Sequence, residues 1–253
     1  MAAARASEGR SMQNRELTEM HTMEVNHWWY AGKRLLFRRL LADRLARSDL
    51  RILDIGAGTG AAAMDFGRDG WICASDRSRI AIAYARERGV RTAVVADATA
   101  IPFADESLDL VLALDIIEHV DDDEAMLRDI ARVLRPGGAV AIHVPAWPSL
   151  WCGHDEILEH KRRYTRRGLA RTLSAAGLEA EYLGWAGATI LVPAAVVRLS
   201  RRWLGAESDR QDAFSLPRPL NSAMLAVYRA EAAIAARSGL PFGLSLAAIA
   251  RVP

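Results

Sequence analysis

The sequence predicts an α/β protein with a doubly wound sheet of largely parallel strands, and three observations carry that prediction. Strand-like apolar runs alternate with helical periodicities between residues 50 and 145, the order that generates parallel βαβ units with right-handed crossovers. The first run, ending at Ile55, enters a loop with glycines at alternate positions, Gly56, Gly58 and Gly60, and a carboxylate, Asp54, just ahead of them. The second run, Trp71 to Ser75, closes on Asp76, about twenty residues beyond the first loop glycine, where such folds place an acid for ribose hydroxyls.

Taken in order, residues 24–47 set Trp28, Leu35, Leu36, Leu40, Leu41 and Leu45 at helical spacing with arginines opposite, so residues 1–47 read as a tail and a helical cap. The first strand leads into helix 61–68, strand 71–75, helix 77–88, strand 92–96, strand 108–114, helix 121–134 and strand 139–145. The helix at 121 starts behind Asp121-Asp-Asp-Glu124, whose charges suit a helix N-terminus, and stops ahead of Pro136-Gly-Gly138. Helix 165–176 ends at Gly177, and Glu179 to Trp185 and Gly243 to Arg251 read as further strands. The core is therefore expected at 48–185 with its last strand at 242–253.

Residues 186–241 form an insertion far longer than a hairpin loop. It holds helices at 190–204 and 220–237, joined by a Pro-bearing link from Gly205 to Pro219. The first of these is apolar at Ile190, Leu191, Val192, Ala195, Val196 and Leu199, then basic at Arg198, Arg201 and Arg202 beside Trp203. A buried helix ending in dipole-favoured arginines is the simpler reading, and an interfacial helix the other. A substrate lid, a dimerisation surface and a membrane-facing patch all stay open.

A hydrophobic share of 51% suffices for a full core. Basic residues number 33 against 31 acidic, scattered and almost all arginine (Lys33 and Lys161 are the only lysines), which gives no case for nucleic acid. Two cysteines, Cys73 and Cys152, make neither a disulfide framework nor a metal knuckle, so a reducing cytoplasm is expected. Residues 1–10 lack a continuous apolar segment and read as a disordered leader, not an export signal. No run of about 18 uncharged apolar residues predicts a spanning helix.

The loop pattern, Asp-x-Gly-x-Gly-x-Gly, departs from the dinucleotide Gly-x-Gly-x-x-Gly, and a carboxylate beside it suits an ammonium more than a pyrophosphate. Here the sequence resembles the class I, Rossmann-like S-adenosylmethionine-dependent methyltransferases. The resemblance continues through Asp97-Ala98, Ile101-Pro102-Phe103, the strand Leu108 to Leu114, Glu118-His119 and Leu134-Arg-Pro-Gly-Gly138, over about residues 48–185. It implies a seven-stranded sheet whose last strand is antiparallel, and S-adenosylmethionine as cofactor. It further implies that Gly56, Ala57, Gly58 and Gly60 floor the cofactor site, with Asp54 at the aminocarboxypropyl end. Asp76 would meet the ribose hydroxyls, Asp97 and Ala98 the adenine, and Leu114 and Asp115 the methionine part. Arg77 stands where many relatives carry a small or apolar residue; it either stacks on adenine or, the simpler reading, points to water.

Acceptor chemistry is sought in the N-terminal helix and after the fifth strand. Four of the seven tryptophans fall there, Trp28, Trp29, Trp147 and Trp151, with His27, Tyr30, His154, His160 and Tyr164. These are expected to form two walls of one pocket, with one of the adjacent rings Trp28 and Trp29 turned to the core. His119, His154 and His160, with Tyr164, are the candidate proton-transfer groups, and Asp155 a carboxylate that orients a histidine. The cluster Asp115-x-x-Glu118-His119 resembles one in ubiquinone-pathway O-methyltransferases, some of which use a divalent ion. Glu118 and His119 are expected instead to bond backbone and loop groups, and no metal is assigned. His143 reads as a core or edge histidine, and His21 as part of a tail.

The resemblance thus implies O- or N-methylation of a small-molecule acceptor, a secondary metabolite, a saccharide or a lipid-linked intermediate. The alternative is a catalytically inactive S-adenosylmethionine-binding partner or regulatory subunit. The intact glycines and the three acids Asp54, Asp76 and Asp97 argue for the enzyme, and the loop pattern with Asp97-Ala98 argues against an NAD oxidoreductase. Peripheral membrane contact and a homodimer are left open.

Overall fold

A computed structural model describes residues 17–204 and 216–253, apart from the side chains of Leu199 and of residues 201–204. The leader expected at 1–10, most of the link after Gly205, and the side chains of Arg201, Arg202 and Trp203 lie outside the described residues.

A helical segment at 17–23 comes first. α1 (Trp28–Leu40) and α2 (Ala42–Leu45) lead into β1 (Leu50–Ile55), α3 (Ala61–Phe66), β2 (Gly70–Asp76), α4 (Arg79–Glu87) and β3 (Thr92–Val95). There follow β4 (Leu108–Leu114), α5 (Asp123–Val133), β5 (Leu134–Pro145), a short α6 (Gly153–Ile157), α7 (Arg166–Ala175) and β6 (Glu179–Ala186). α8 (Ala188–Leu204), α9 (Arg218–Ser238) and β7 (Ser245–Arg251) complete it. One seven-stranded sheet has the order β3-β2-β1-β4-β5-β7-β6, with β7 antiparallel to both β5 and β6 and the inner pairs parallel. The doubly wound sheet with an antiparallel last strand is therefore as expected.

Local chemistry sets the helix starts. Ser78, Asp122 and Thr165 each accept a backbone N–H of the first turn, from Ala81, Ala125 and Gly168. β4 is buried along nearly its whole length, as a strand covered on both faces must be. α5 and α7 cover one face through Met126, Leu127, Ile130, Leu169 and Leu173. α1, α3 and α9 cover the other through Leu36, Phe37, Phe66, Ala232 and Ala235.

Three expectations need correction. β5 starts at Leu134, not 139, and runs through Pro136-Gly-Gly138, because a register shift after the Leu108–Leu134 pair absorbs the glycines. His21 is not tail: its ring stacks on Tyr84 at 4.3 Å. The buried helix of the insertion is α9, not the first one. α9 packs against α1 so closely that a Cβ at Gly32 would lie 2.5 Å from Tyr228 Cδ1. α8 lies outside it, with Val192 and Val196 64% and 61% exposed. Buried Glu231 of α9 joins the two helices by accepting the N–H groups of Gly187, Ala188 and Thr189 at the start of α8. No helix among the described residues is long and apolar enough to cross a membrane.

Candidate active site

A cavity of about 570 Å³ opens where β1, β2 and β4 end, between α1 and the segment after β5. The carboxyl ends of parallel strands are where such sheets bind ligands.

At one end, Gly56, Gly58 and Gly60 all hold left-handed φ, +68°, +53° and +82°, a conformation that glycine adopts without steric cost. Asp76 braces the loop, its two oxygens accepting the N–H groups of Gly58 at 3.0 Å and Ser78 at 2.8 Å. Burial raises its carboxyl, and these two N–H groups restrain the rise. The helical segment at 17–23 closes over the loop: a Cβ at Gly58 would meet Met20 Cε at 2.9 Å. Glu24 accepts from Thr59 Oγ1, and Arg88 binds the carbonyls of both Thr59 and His21. Asp54 is 2% exposed, with Oδ2 unpartnered. Burial, then the charge of Glu24, pushes its carboxyl up to about 8. A buried, underbonded carboxyl facing a cavity is a seat for a cation, which would return it to the ionised form.

Asp97 and Ala98 border the cavity from β3, and Thr99 donates twice to Asp97 Oδ1, both at 2.8 Å, which lowers its carboxyl. Arg77 is on the solvent side: it pairs at 3.3 Å with Glu159, with side chains 71% and 66% exposed. Leu114 and Asp115 lie at the end of β4. Asp115 has φ +58° and bonds both Lys33 Nζ and His143 Nδ1. Burial alone would raise it, but His143 and Lys33 hold its carboxyl well below the usual range.

His27, Trp28, Trp29 and Tyr30 from α1 and its cap line the same cavity as His119, His154 and His160. Both Trp28 and Trp29 border it, contrary to the expectation that one ring turns to the core; each also packs on Tyr228. Asp155 does orient a histidine: it is fully buried and bonds His160 Nδ1 at 2.8 Å and Arg163 Nε at 2.8 Å. Burial, then His160, pushes His119 down to about 4.

Three expected site residues lie elsewhere. Trp147 stacks on Trp185 at 4.9 Å and donates Nε1 to the Gly243 carbonyl, because its own φ of +61° swings the ring away. Trp151 bonds Glu156 at 3.4 Å and does not reach the cavity. Tyr164 is buried with its hydroxyl 2.6 Å from Asp123 Oδ2; burial and that bond raise its pKa, so it serves the core. Glu118 also departs from expectation: its carboxylate oxygens are buried and neither has a hydrogen-bond partner, and burial raises its carboxyl far above the ordinary value.

Among the lining residues that were not anticipated are Glu24, Lys33, Arg163 and Arg198. Lys33 had a signal in the sequence, since it interrupts the apolar stripe of α1, one turn beyond Trp29, in a chain with two lysines. Arg163 and Arg198 had none, because their placement depends on Asp155 and on where α8 returns over the sheet.

Residues 53–142 match the Methyltransferase domain family. An uncharacterized methyltransferase of Mycobacterium sp. (strain JLS) is 32% identical over 168 residues, covering 60% of this chain and 66% of that one. One from Mycolicibacterium gilvum is 31% identical over 172 residues, covering 61% of this chain and 68% of that one. The chain thus spans about two thirds of the length of these relatives. Among solved structures, a putative sarcosine dimethylglycine methyltransferase from Galdieria sulphuraria shares the fold with a TM-score of 0.58 at 18% identity, covering 85% and 83% of the two chains. A geranyl diphosphate methyltransferase in complex with SAM does so with a TM-score of 0.58 at 16% identity, covering 88% and 85%.

Proposed function

Because the chain belongs to the class I S-adenosylmethionine-dependent methyltransferase family, we propose that it transfers the methyl group of S-adenosylmethionine to an oxygen or nitrogen of a small-molecule acceptor. The observation that carries this reading is Asp54, a buried carboxyl with an unpartnered oxygen beside a left-handed glycine loop, in one cavity with an aromatic and histidine-rich end. The first fits an ammonium, and the second a dry acceptor site.

When bound, the cofactor supplies an electrophilic methyl on a sulfonium. The chain's residues then hold and align. Asp54 pairs with the cofactor's ammonium, Asp76 with its ribose hydroxyls, and Asp97 and the Ala98 backbone with adenine. Trp29, Tyr30 and His27 pack on the acceptor and exclude water, which keeps its nucleophile in line at about 3 Å from the methyl carbon. Lys33 and His143 fix Asp115 at the junction of the two halves. An acceptor that arrives protonated loses its proton to a histidine at this end. His119, held near 4, is too weak a base at neutral pH, which leaves His154 and His160. The aromatic rings and apolar lining favour a flat or apolar acceptor, such as a secondary metabolite or a lipid-linked intermediate.

The test pairs calorimetry with turnover. Wild type should bind S-adenosylhomocysteine and pass labelled methyl to an acceptor from a panel of aromatic hydroxyls and amines. Gly58→Val, which places a β-branched side chain at φ +53°, should remain folded and lose both activities. Absence of cofactor binding in wild type overturns the reading, and binding without transfer to any acceptor turns it toward a non-catalytic partner.

A further inference from the structure

We propose that Glu118, His119 and His160 bind one divalent transition-metal ion at the acceptor end of the cavity. Their ligand atoms lie within 4.8 Å of one another, and all three residues border the cavity. Donors about 2 Å from a tetrahedral ion stand roughly 3.3 Å apart, so small side-chain rotations close the set.

Two features point to an ion. The first is Glu118: the residue is fully buried, yet neither carboxylate oxygen has a hydrogen-bond partner. Buried polar atoms are almost always satisfied, and a cation would satisfy this one. The second is how the His160 imidazole is held. His160 gives Nδ1 to Asp155, and Asp155 is itself locked by Arg163 Nε and the Cys152 N–H. His160 thus has Nδ1 tied from behind and Nε2 left for a ligand, the outer-shell arrangement that orients metal-binding histidines.

Asp115 is outside the set, since Lys33 and His143 occupy its oxygens. Two imidazoles and one carboxylate suit Zn²⁺, Fe²⁺ or Co²⁺ better than Mg²⁺ or Ca²⁺, which prefer oxygen ligands. Three protein ligands leave an open position toward the cavity. That position fits an oxygen of the acceptor, whose pKa the ion would lower, with His154 of the same cavity lining to take the proton. This catalytic use rests on the methyltransferase reading; the binding of the ion does not.

The experiment titrates untagged, chelator-stripped protein with Zn²⁺ by calorimetry and with Co²⁺ by visible absorption. One equivalent of each is expected, with cobalt bands of low-coordinate nitrogen and oxygen ligation. Glu118→Gln, which keeps the shape of the side chain, and His160→Gln should each weaken binding at least tenfold. Asp155→Asn, which touches no ion, should weaken it ten- to a hundredfold. S-adenosylhomocysteine affinity on the same variants checks that the fold persists, and should one fail to fold, His119→Gln takes its place. No stoichiometric ion in wild type, or equal affinity in Glu118→Gln and His160→Gln, overturns the site. Loss of cofactor binding in wild type would overturn the methyltransferase reading and leave the metal titration to be judged alone.

Discussion

At the glycine-loop end of the cavity the ligand-facing groups come from a short stretch of chain, Asp54 to Ala98, and act largely through backbone: left-handed glycines, bonded N–H groups and a helix start. At the acceptor end they come from α1, the turn after β4, the segment at 154–163 and α8, and act through side-chain pairs: Lys33 with Asp115, His143 with Asp115, His160 and Arg163 with Asp155. The first end is built on three aligned strands, with the segment at 17–24 closed over its loop. The second exists only when distant segments have closed on one another, and each of its charges is costly without its partner.

The comparison can be broken most forcefully at Asp155. Asp155→Ala leaves the Arg163 guanidinium, 2% exposed, without its carboxylate, and should cost about 3 to 5 kcal/mol of stability in urea unfolding. S-adenosylhomocysteine affinity should stay within about threefold; a parallel fall would show that the two ends are one cooperative unit.

Asp76→Ala is the matching test of the other end. Losing two charge-assisted bonds to ribose should remove about 2 to 4 kcal/mol of cofactor binding by calorimetry, with a smaller loss of stability from the Gly58 and Ser78 N–H groups. Unchanged affinity would put the ribose elsewhere.

A pH-dependent effect follows from Asp54. With its carboxyl near 8 in the folded, ligand-free protein, it keeps a proton that the unfolded chain releases near 4. The folded state binds the extra proton through that window, so stability falls as pH rises from about 4 to 8, by up to about 1.4 kcal/mol per unit. Asp54→Asn should remove that slope, and saturating S-adenosylmethionine should flatten it in wild type by supplying an ammonium. A variant curve that overlays wild type would mean that Asp54 is ionised throughout.

The smallest change is expected at the rim. Arg77→Ala breaks an exposed pair with Glu159 and should alter stability by no more than about 0.5 kcal/mol and cofactor affinity by less than threefold. A larger affinity loss would indicate that the guanidinium turns inward onto adenine.

The same contrast governs what could be read in advance. Strand and helix alternation, the three glycines and Asp76 were legible because backbone conformation at the cofactor end is set by neighbours in sequence: left-handed φ needs glycine, and caps need Ser, Thr or Asp at the first turn. His27 to Tyr30, His119, His154 and His160 were legible as residue types, and Asp155 as the group that orients one of them. Trp147, Trp151 and Tyr164 misled, since an aromatic in a loop serves core and cavity equally well until its backbone angle and hydrogen bonds are known.

By itself, then, the sequence determined the α/β alternation, the glycine loop and the acids that follow the strands, all consequences of local steric and hydrogen-bonding rules. Only the tertiary structure decided that α9, not α8, is buried, that Lys33 reaches Asp115, and that Glu118 sits unpartnered beside two histidines 41 residues apart. Burial and long-range charge pairing depend on which segments meet in space, and that is a property of the closed fold, not of neighbouring residues.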